Sequence, residues 1–328
     1  MDDPVHPKNA LNDLPNRQWL IETKSFWLSG DDGNEAFSEL AGEFVQWLRQ
    51  TDAPEEVERL LGQLDDSFVY SQAPPRSALK ALHPATFSER DVERLIRLFT
   101  KQGERVLDPF VGSGSALLAC ALAGRKGVGI ELSPEWAQVA RERLQTEAVS
   151  GQPQPSLELS VVEGDARSCL QEMEADSFDF VVTSPPYWSI LTKKAGLKAH
   201  AERTSRGLPT QYSDSDGDLG NLEDYDQFLD ELARIFGQCG RVLKPKRYMA
   251  VIVSDFRHGP RFYLYHADLA ARVEALGLQL KGVTILAQNN KNLYPFGIPF
   301  AFISNIHHQY ILVFQKPAPA KPKHSKQG

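Results

Sequence analysis

The chain has 328 residues, 41% hydrophobic and 24% charged, with a net charge of −7. This is ordinary for a soluble globular protein with one large domain and a smaller lobe. No run of about 18 apolar residues reads as a membrane span, and Met1-Asp2-Asp3-Pro4 lacks a signal region. Cys120, Cys169 and Cys239 lie far apart, with no Cys-x-x-Cys or histidine cluster, so no metal is expected and a reducing cytoplasm fits.

The charge is unevenly spread. Residues 1–75 carry 15 acidic against 5 basic side chains, and the remainder 28 against 31. The acidity therefore sits at the N-terminal end, and contact between the mildly basic body and DNA stays plausible. Residues 1–78 are expected to form a small helical lobe and linker. Glu35–Arg49 places Phe37, Leu40, Ala41, Phe44, Val45 and Leu48 at helical spacing, and Glu55–Leu64 continues the pattern. Ala73-Pro74-Pro75-Arg76-Ser77 breaks it. From residue 79 to 317 helix and strand signals alternate, which predicts a doubly wound, mostly parallel α/β sheet. The Pro- and Lys-rich end, 318–328, is expected to be disordered.

Arg105-Val106-Leu107 reads as the end of a buried strand. Asp108-Pro109-Phe110-Val111-Gly112-Ser113-Gly114 follows, and Ser115–Ala123 reads as a helix closed by Gly124. Glycines let the backbone turn tightly and approach a ligand. A second strand, Gly127–Ile130, ends at Glu131-Leu132. An acidic residue at that tip is where a doubly wound nucleotide fold binds ribose hydroxyls. The spacing is neither G-x-G-x-x-G nor a P-loop, so a dinucleotide or ATP fits poorly. A purely structural glycine turn is the alternative.

Ser177–Val182 reads as a central strand, and Thr183-Ser184-Pro185-Pro186-Tyr187-Trp188 sits at its carboxyl end. Ligands of open α/β sheets bind there. The exocyclic amine of a nucleobase is a poor nucleophile, because its lone pair is delocalised into the ring. Acceptors gripping its N–H bonds raise its nucleophilicity. The Ser184 hydroxyl and Pro185 carbonyl can supply them, and proline holds them rigid. Tyr187 offers a stacking face worth ~1–3 kcal/mol. Trp188 either widens that platform or packs beneath it. A Pro-Pro loop that merely ends a strand is the alternative.

Downstream, Ile190–Gln211 holds Lys193, Lys194, Lys198, Arg203 and Arg206, cations able to meet phosphates flanking a target, or simply a solvated loop face. Asn289–Ile306 mixes amides and aromatics that either read bases or pack on the sheet. Asp255-Phe256-Arg257-His258 ends the fifth strand, where Arg257 meets a phosphate or a structural carboxylate.

These segments together resemble the amino-directed DNA methyltransferases, which methylate cytosine N4 or adenine N6 from S-adenosylmethionine. Asp108–Gly114 is similar to their cofactor motif, and Thr183–Tyr187 to their catalytic motif. The resemblance implies a Rossmann-like methyltransferase fold. It implies catalytic roles for Ser184, Pro185, Pro186 and Tyr187, and donor contacts for Asp108, Phe110, Gly112, Ser113, Gly114, Glu131 and Leu132. His83-Pro84-Ala85-Thr86-Phe87 resembles the motif contacting the donor's methionine part. Gly164-Asp165-Ala166 resembles the place where an acid meets the donor's adenine. Arg241–Pro245 with the strand Tyr248–Ser254 is similar to the fifth-strand region, and His308–Phe314 to the last strand. Leu11–Leu14, Trp19 and Lys24–Trp27 are similar to openings of bacterial and archaeal members. Serine at 184 is more typical of cytosine-N4 enzymes. The implied substrate is double-stranded DNA with its target base flipped, near the nucleoid of a prokaryotic cytoplasm, and a cognate restriction enzyme is a possible partner. The cofactor motif precedes the catalytic one, and only Pro317–Gly328 follows the last strand, so the target-recognition element must lie elsewhere.

Overall fold

The structure is a computed structural model that describes residues 5–23, 25–28, 88–147, 158–188, 217–288 and 301–319. The helices expected at Glu35–Arg49 and Glu55–Leu64, the linker at 73–77 and most of the loops at 190–211 and 289–306 lie outside them.

Ten strands and seven α-helices are described. In chain order they are α1 (Asn16–Glu22), β1 (Phe26–Leu28), α2 (Glu89–Phe99), β2 (Arg105–Asp108), α3 (Ser115–Ala123), β3 (Lys126–Glu131), α4 (Pro134–Thr146), β4 (Leu159–Glu163), α5 (Ala166–Glu172), β5 (Phe178–Thr183), α6 (Tyr225–Val242), β6 (Leu243–Val253), β7 (Phe256–His258), β8 (Arg261–Tyr263), α7 (Tyr265–Glu274), β9 (Gln279–Ala287) and β10 (His308–Gln315). Eight strands form one sheet in the order β1-β9-β10-β6-β5-β2-β3-β4, and β7 pairs with β8 as a separate hairpin. Strands β4, β3, β2, β5 and β6 run parallel, whereas β10 is antiparallel to both neighbours. From β2 the chain winds outward through β3 and β4. It then returns to the other side of β2 as β5. The direction of winding therefore reverses between β2 and β5, where an open α/β sheet leaves a crevice at its carboxyl edge. This is the expected doubly wound, Rossmann-like architecture.

Burial follows the two-residue period of the strands. Leu107, Val181, Met249, Val251 and Leu312 face one core with α6 and α7, while Val106, Phe180, Val182, Ala250 and Ile311 face the other with α2 and α3. Strand β5 is buried along its whole length, as a central parallel strand must be. Helix α3 has aliphatic and small residues on nearly all sides and is almost wholly buried. Gly124, at φ +70°, closes it, and the Arg125 N–H donates to the Cys120 carbonyl at 2.9 Å. Ser133 caps α4, with Pro134 at its first turn.

Of the expected N-terminal helical lobe, the structure describes residues 5–23 and 25–28, and these pack on the sheet and α2. Strand β1 pairs in parallel with β9, and Trp27 is 1% exposed in the core. Burying Trp27 ties this segment down. The Arg94 guanidinium lies 3.9 Å over its ring and pairs with Glu22 at 3.1 Å. Strand β6 starts at Leu243 rather than Tyr248. Lys246, at φ +64°, makes an irregularity there that lets the chain pair with β5 before and after it. Below the sheet, the Lys316 ammonium reaches Asp176 at 2.6 Å and the carbonyls of Arg241 (3.0 Å) and Leu243 (2.6 Å). Among the described residues, no helix is long and apolar enough to cross a membrane.

Candidate active site

One cleft opens at the carboxyl ends of β2, β3, β4 and β5. Of the residues singled out in the sequence, Phe110, Gly112, Ser113, Glu131, Leu132, Asp165, Ala166, Ser184, Pro185 and Pro186 line it. Pro109, Val111, Ser115, Trp136, Arg167, Gly217, Asp218, Leu219 and Ile235 complete the wall.

The glycine loop is held from inside. Gly112 and Gly114 have φ of +51° and +88°, which L side chains rarely adopt. The Phe110 N–H donates to Asp108 Oδ1 (3.0 Å), that of Val111 to the Ile130 carbonyl (2.9 Å), that of Gly112 to Glu131 Oε2 (2.9 Å), and that of Gly114 to the Val111 carbonyl (2.9 Å). Four of the loop's amides are thus spent within the protein, which fixes the loop's path. Glu131 also accepts from the Ser133 N–H at 2.9 Å, so both its oxygens are fixed while lone pairs remain for hydroxyl donors. Burial raises its carboxyl above the usual range against these hydrogen bonds, and the Asp218 charge adds to the rise.

Asp108 is not part of the cleft wall. It is 1% exposed and lies beneath the loop, where Oδ1 accepts the Thr183 hydroxyl at 2.6 Å. Oδ2 is buried with no hydrogen-bond partner among the described residues. Burial pushes this carboxyl up to about 7, against the two hydrogen bonds it accepts. Gly114 is likewise behind the wall. A Cβ there would stand 3.2 Å from that of Ala140, so the glycine permits close helix packing rather than ligand contact.

Arg143 on α4 is the main element the sequence did not disclose. It is 1% exposed and donates to the Ser113 carbonyl (2.8 Å), Ser113 Oγ (3.2 Å), Glu89 (2.8 Å) and Glu147 (3.0 Å). Glu89 also accepts from Ser115 Oγ at 2.8 Å. The Ser113 side chain thus faces this buried clamp. The i,i+4 pair Arg143–Glu147 was visible in the sequence as a surface feature, but nothing there signalled its burial.

Asp165, expected to meet the donor's adenine, caps α5 by accepting the Arg167 N–H at 2.8 Å. It also holds the Arg167 guanidinium at 2.5–3.0 Å. Burial pushes its carboxyl up, but these bonds outweigh it and hold the group below its usual range. Asp218, 6% exposed across the cleft, accepts from the Gly220 N–H at 2.9 Å.

In the turn, Pro185 is buried, and Ser184, Pro186 and Tyr187 are half-buried. Trp188 does not widen a platform. It is 5% exposed, its Nε1 donates to the Leu222 carbonyl at 2.9 Å, and its ring sits among Tyr225, Phe256, His258 and Tyr263. An indole has one polar atom, and satisfying it leaves the rest free to pack. Arg257 lies on the exposed β7–β8 hairpin, outside the cleft wall. It stacks over Phe262 and donates to the Pro260 carbonyl at 3.3 Å. His83, Pro84, Thr86, Lys193, Lys194, Arg203 and Arg206 lie outside the described residues.

The sequence profile of the N6/N4 DNA methylases matches residues 47–142 and 178–327. The chain belongs to the DNA methylase family. A general methyltransferase-domain profile also matches residues 107–190. Methyl transfer in this family draws on S-adenosylmethionine. The type II methyltransferase M.HpaI of Haemophilus parainfluenzae is 42% identical over 65 residues, 20% of this chain and 21% of that protein. A tRNA (guanine(10)-N2)-dimethyltransferase of Methanothermobacter thermautotrophicus is 29% identical over 131 residues, 40% of this chain and 35% of that protein. The matches thus span about a fifth to a third of these relatives. The solved structure of TTHA0409 from Thermus thermophilus, in complex with S-adenosyl-L-methionine, is 28% identical. It covers 50% of this chain and 58% of that one, with a TM-score of 0.33. The fold assignment rests on the strand order above rather than on that overlap.

Proposed function

We propose that this chain methylates the exocyclic amine of a base flipped out of duplex DNA, cytosine N4 first, with S-adenosylmethionine as donor. The observation that carries the reading is the shared cleft: Gly112 and Glu131 line it together with Ser184 and Pro185. The family membership supports the same reaction class.

The residues fit a nucleoside donor. Glu131, held by two backbone N–H groups, faces the cleft as an acceptor for ribose hydroxyls. Asp165, Phe110, Leu132 and Trp136 would surround the base and sugar, and Asp218 adds a second acid. When bound, the donor supplies an electrophilic methyl group on a sulfonium centre.

Everything else falls to the turn. The Ser184 hydroxyl and Pro185 carbonyl accept the two amine hydrogens and turn the nitrogen lone pair out of conjugation. Pro185 and Pro186 hold those acceptors before the base arrives, so little reorganisation is left for the transition state. Tyr187 stacks the flipped base. The methylated amine is acidic enough to release its proton to water. Serine at 184, rather than an acid or amide, favours cytosine N4 over adenine N6. The catalytic domain is taken as 79–317. The likeness to type II methyltransferases supports partnership with a restriction endonuclease, and the basic residues at 193, 194, 203 and 206 are the proposed phosphate contacts.

Labelled-methyl transfer to genomic DNA, followed by nucleoside digestion and mass spectrometry, tests this. N4-methylcytosine is expected with the wild type. Ser184→Ala and Tyr187→Ala should bind donor but lose most turnover, and normal turnover in both would remove the turn from catalysis. A second reading is amino-directed RNA methylation, favoured by the longer stretch shared with the tRNA enzyme. Label in RNA and none in DNA would establish it.

A further inference from the structure

A buried ion network lies directly behind the glycine loop, and none of the chemical steps above uses it. Its centre is Arg143 on α4, 1% exposed. The guanidinium donates to the Ser113 carbonyl at 2.8 Å, to Ser113 Oγ at 3.2 Å and to Ser115 Oγ at 3.4 Å. It also donates to Glu89, the first residue of α2, at 2.8 Å. Glu89 is buried as well and accepts from Ser115 Oγ at 2.8 Å. One side chain thus fastens three helices, α2, α3 and α4, to the loop residue Ser113. The next residue, Gly114, packs against Ala140, about one turn earlier on α4. Ser113 and Ser115 line the cleft, and Arg143 stands behind them.

We propose that Arg143 is a positioning residue for the methyl donor: by holding Ser113 from behind, it sets the path of the loop beneath the donor's amino-acid part. The inference rests on the donor placement proposed above. Strand order gives the reason. Glu131 ends β3 and Asp165 follows β4. A donor with its ribose at the first and its adenine near the second runs its remaining part across the loop after β2, toward Ser184 after β5. The backbone at Ser113 is the floor of that stretch. The glycines on either side of it, at φ +51° and +88°, have wide conformational freedom, so the floor keeps one shape only if something outside the loop grips it. A guanidinium can do so, because its planar fan of N–H groups reaches several acceptors at once, whereas an ammonium is a point charge. A buried ion pair gains little net stability over well-packed apolar side chains. Its value at this place is the single loop geometry it imposes.

The test compares Arg143→Lys, which keeps the charge, Arg143→Met, and Arg143→Met combined with Glu89→Met. Calorimetry on the full chain measures binding of S-adenosyl-L-homocysteine and of 5′-methylthioadenosine, which lacks the amino-acid part. The melting temperature of each variant is taken alongside. Affinity for S-adenosyl-L-homocysteine is expected to fall about tenfold in all three, in keeping with the loss of one or two hydrogen bonds that hold the loop. Affinity for 5′-methylthioadenosine should stay near wild type. The double variant should regain part of the melting temperature lost by Arg143→Met but none of the affinity, because nothing then grips Ser113. A merely structural role predicts the opposite, and affinity that recovers together with melting temperature would overturn the proposal. Equal losses for the two ligands, or wild-type affinity in Arg143→Lys and the double variant, would overturn it too. If Arg143→Met folds poorly, those two variants decide by themselves. A wild-type chain that binds neither ligand would remove the donor placement and the inference with it. A wild-type chain that binds both, with variants that bind equally well, would remove only the role of Arg143.

Discussion

The Thr183 hydroxyl donates to Asp108 Oδ1 at 2.6 Å, and through this one buried bond the glycine loop and the Ser-Pro-Pro turn share a support. The two residues end adjacent parallel strands, β2 and β5, at the point where the winding reverses. Neither side chain is part of the cleft wall, yet both set where its two halves stand.

This pair has a pH signature. Burial raises the Asp108 carboxyl to about 7, whereas the unfolded chain titrates near ~4. The folded state thus keeps a proton that the unfolded state releases. The associated stability is full below the unfolded value and is lost as pH rises through the folded one. Asp108→Asn removes the titration, so the wild-type melting temperature should fall relative to the variant's between about pH 4 and 7 and level off above. Parallel profiles would count against the raised carboxyl.

Glu131→Gln replaces one fixed acceptor oxygen with an NH₂ that meets either the Gly112 or the Ser133 N–H. Donor affinity by calorimetry is expected to drop about ten- to hundredfold, the loss of a charge-assisted hydrogen bond and the distortion of the loop. Unchanged affinity would place the donor elsewhere.

Arg143→Met removes the buried ion pair to Glu89 and the bond to the Ser113 carbonyl. The expected cost is about 3–5 kcal/mol in urea unfolding, typical of breaking a buried pair from one side. Glu89→Met combined with Arg143→Met should recover part of it. A cost below about 1 kcal/mol for the single change would match a surface pair and sink the clamp.

Gly129→Ala would place its Cβ 2.5 Å from Val111 Cγ2. Overpacking of this kind costs about 1–3 kcal/mol. Val111→Ala in the same chain removes the atoms in the way, so the double variant should melt above Gly129→Ala alone. Failure of that rescue would place the strain elsewhere.

The strands β2 to β6 were legible because parallel, doubly covered strands are written as short apolar runs, each ending at a conspicuous motif. The cleft followed, since Gly112, Glu131, Asp165 and Ser184 all stand just past such runs. Less was visible where the decisive contact is distant in sequence. Nothing local in the sequence marks Trp27 as buried; the pairing of β1 with β9 and Arg94 of α2 over its ring enclose it. Arg143 reads as an exposed helix charge. Asp108 reads as a ligand because it leads the glycine loop, although a buried strand end turns its side chain toward Thr183. Trp188 offered two readings, and the β7–β8 hairpin decided between them.

Lys316 marks how far the chain must run for the sheet to close. One ammonium laces the end of the last strand to the turn at Asp176 and to two carbonyls at the junction of α6 and β6. A truncation after this lysine leaves the lacing intact. One that stops a single residue earlier removes these three bonds at the junction of α6 and β6.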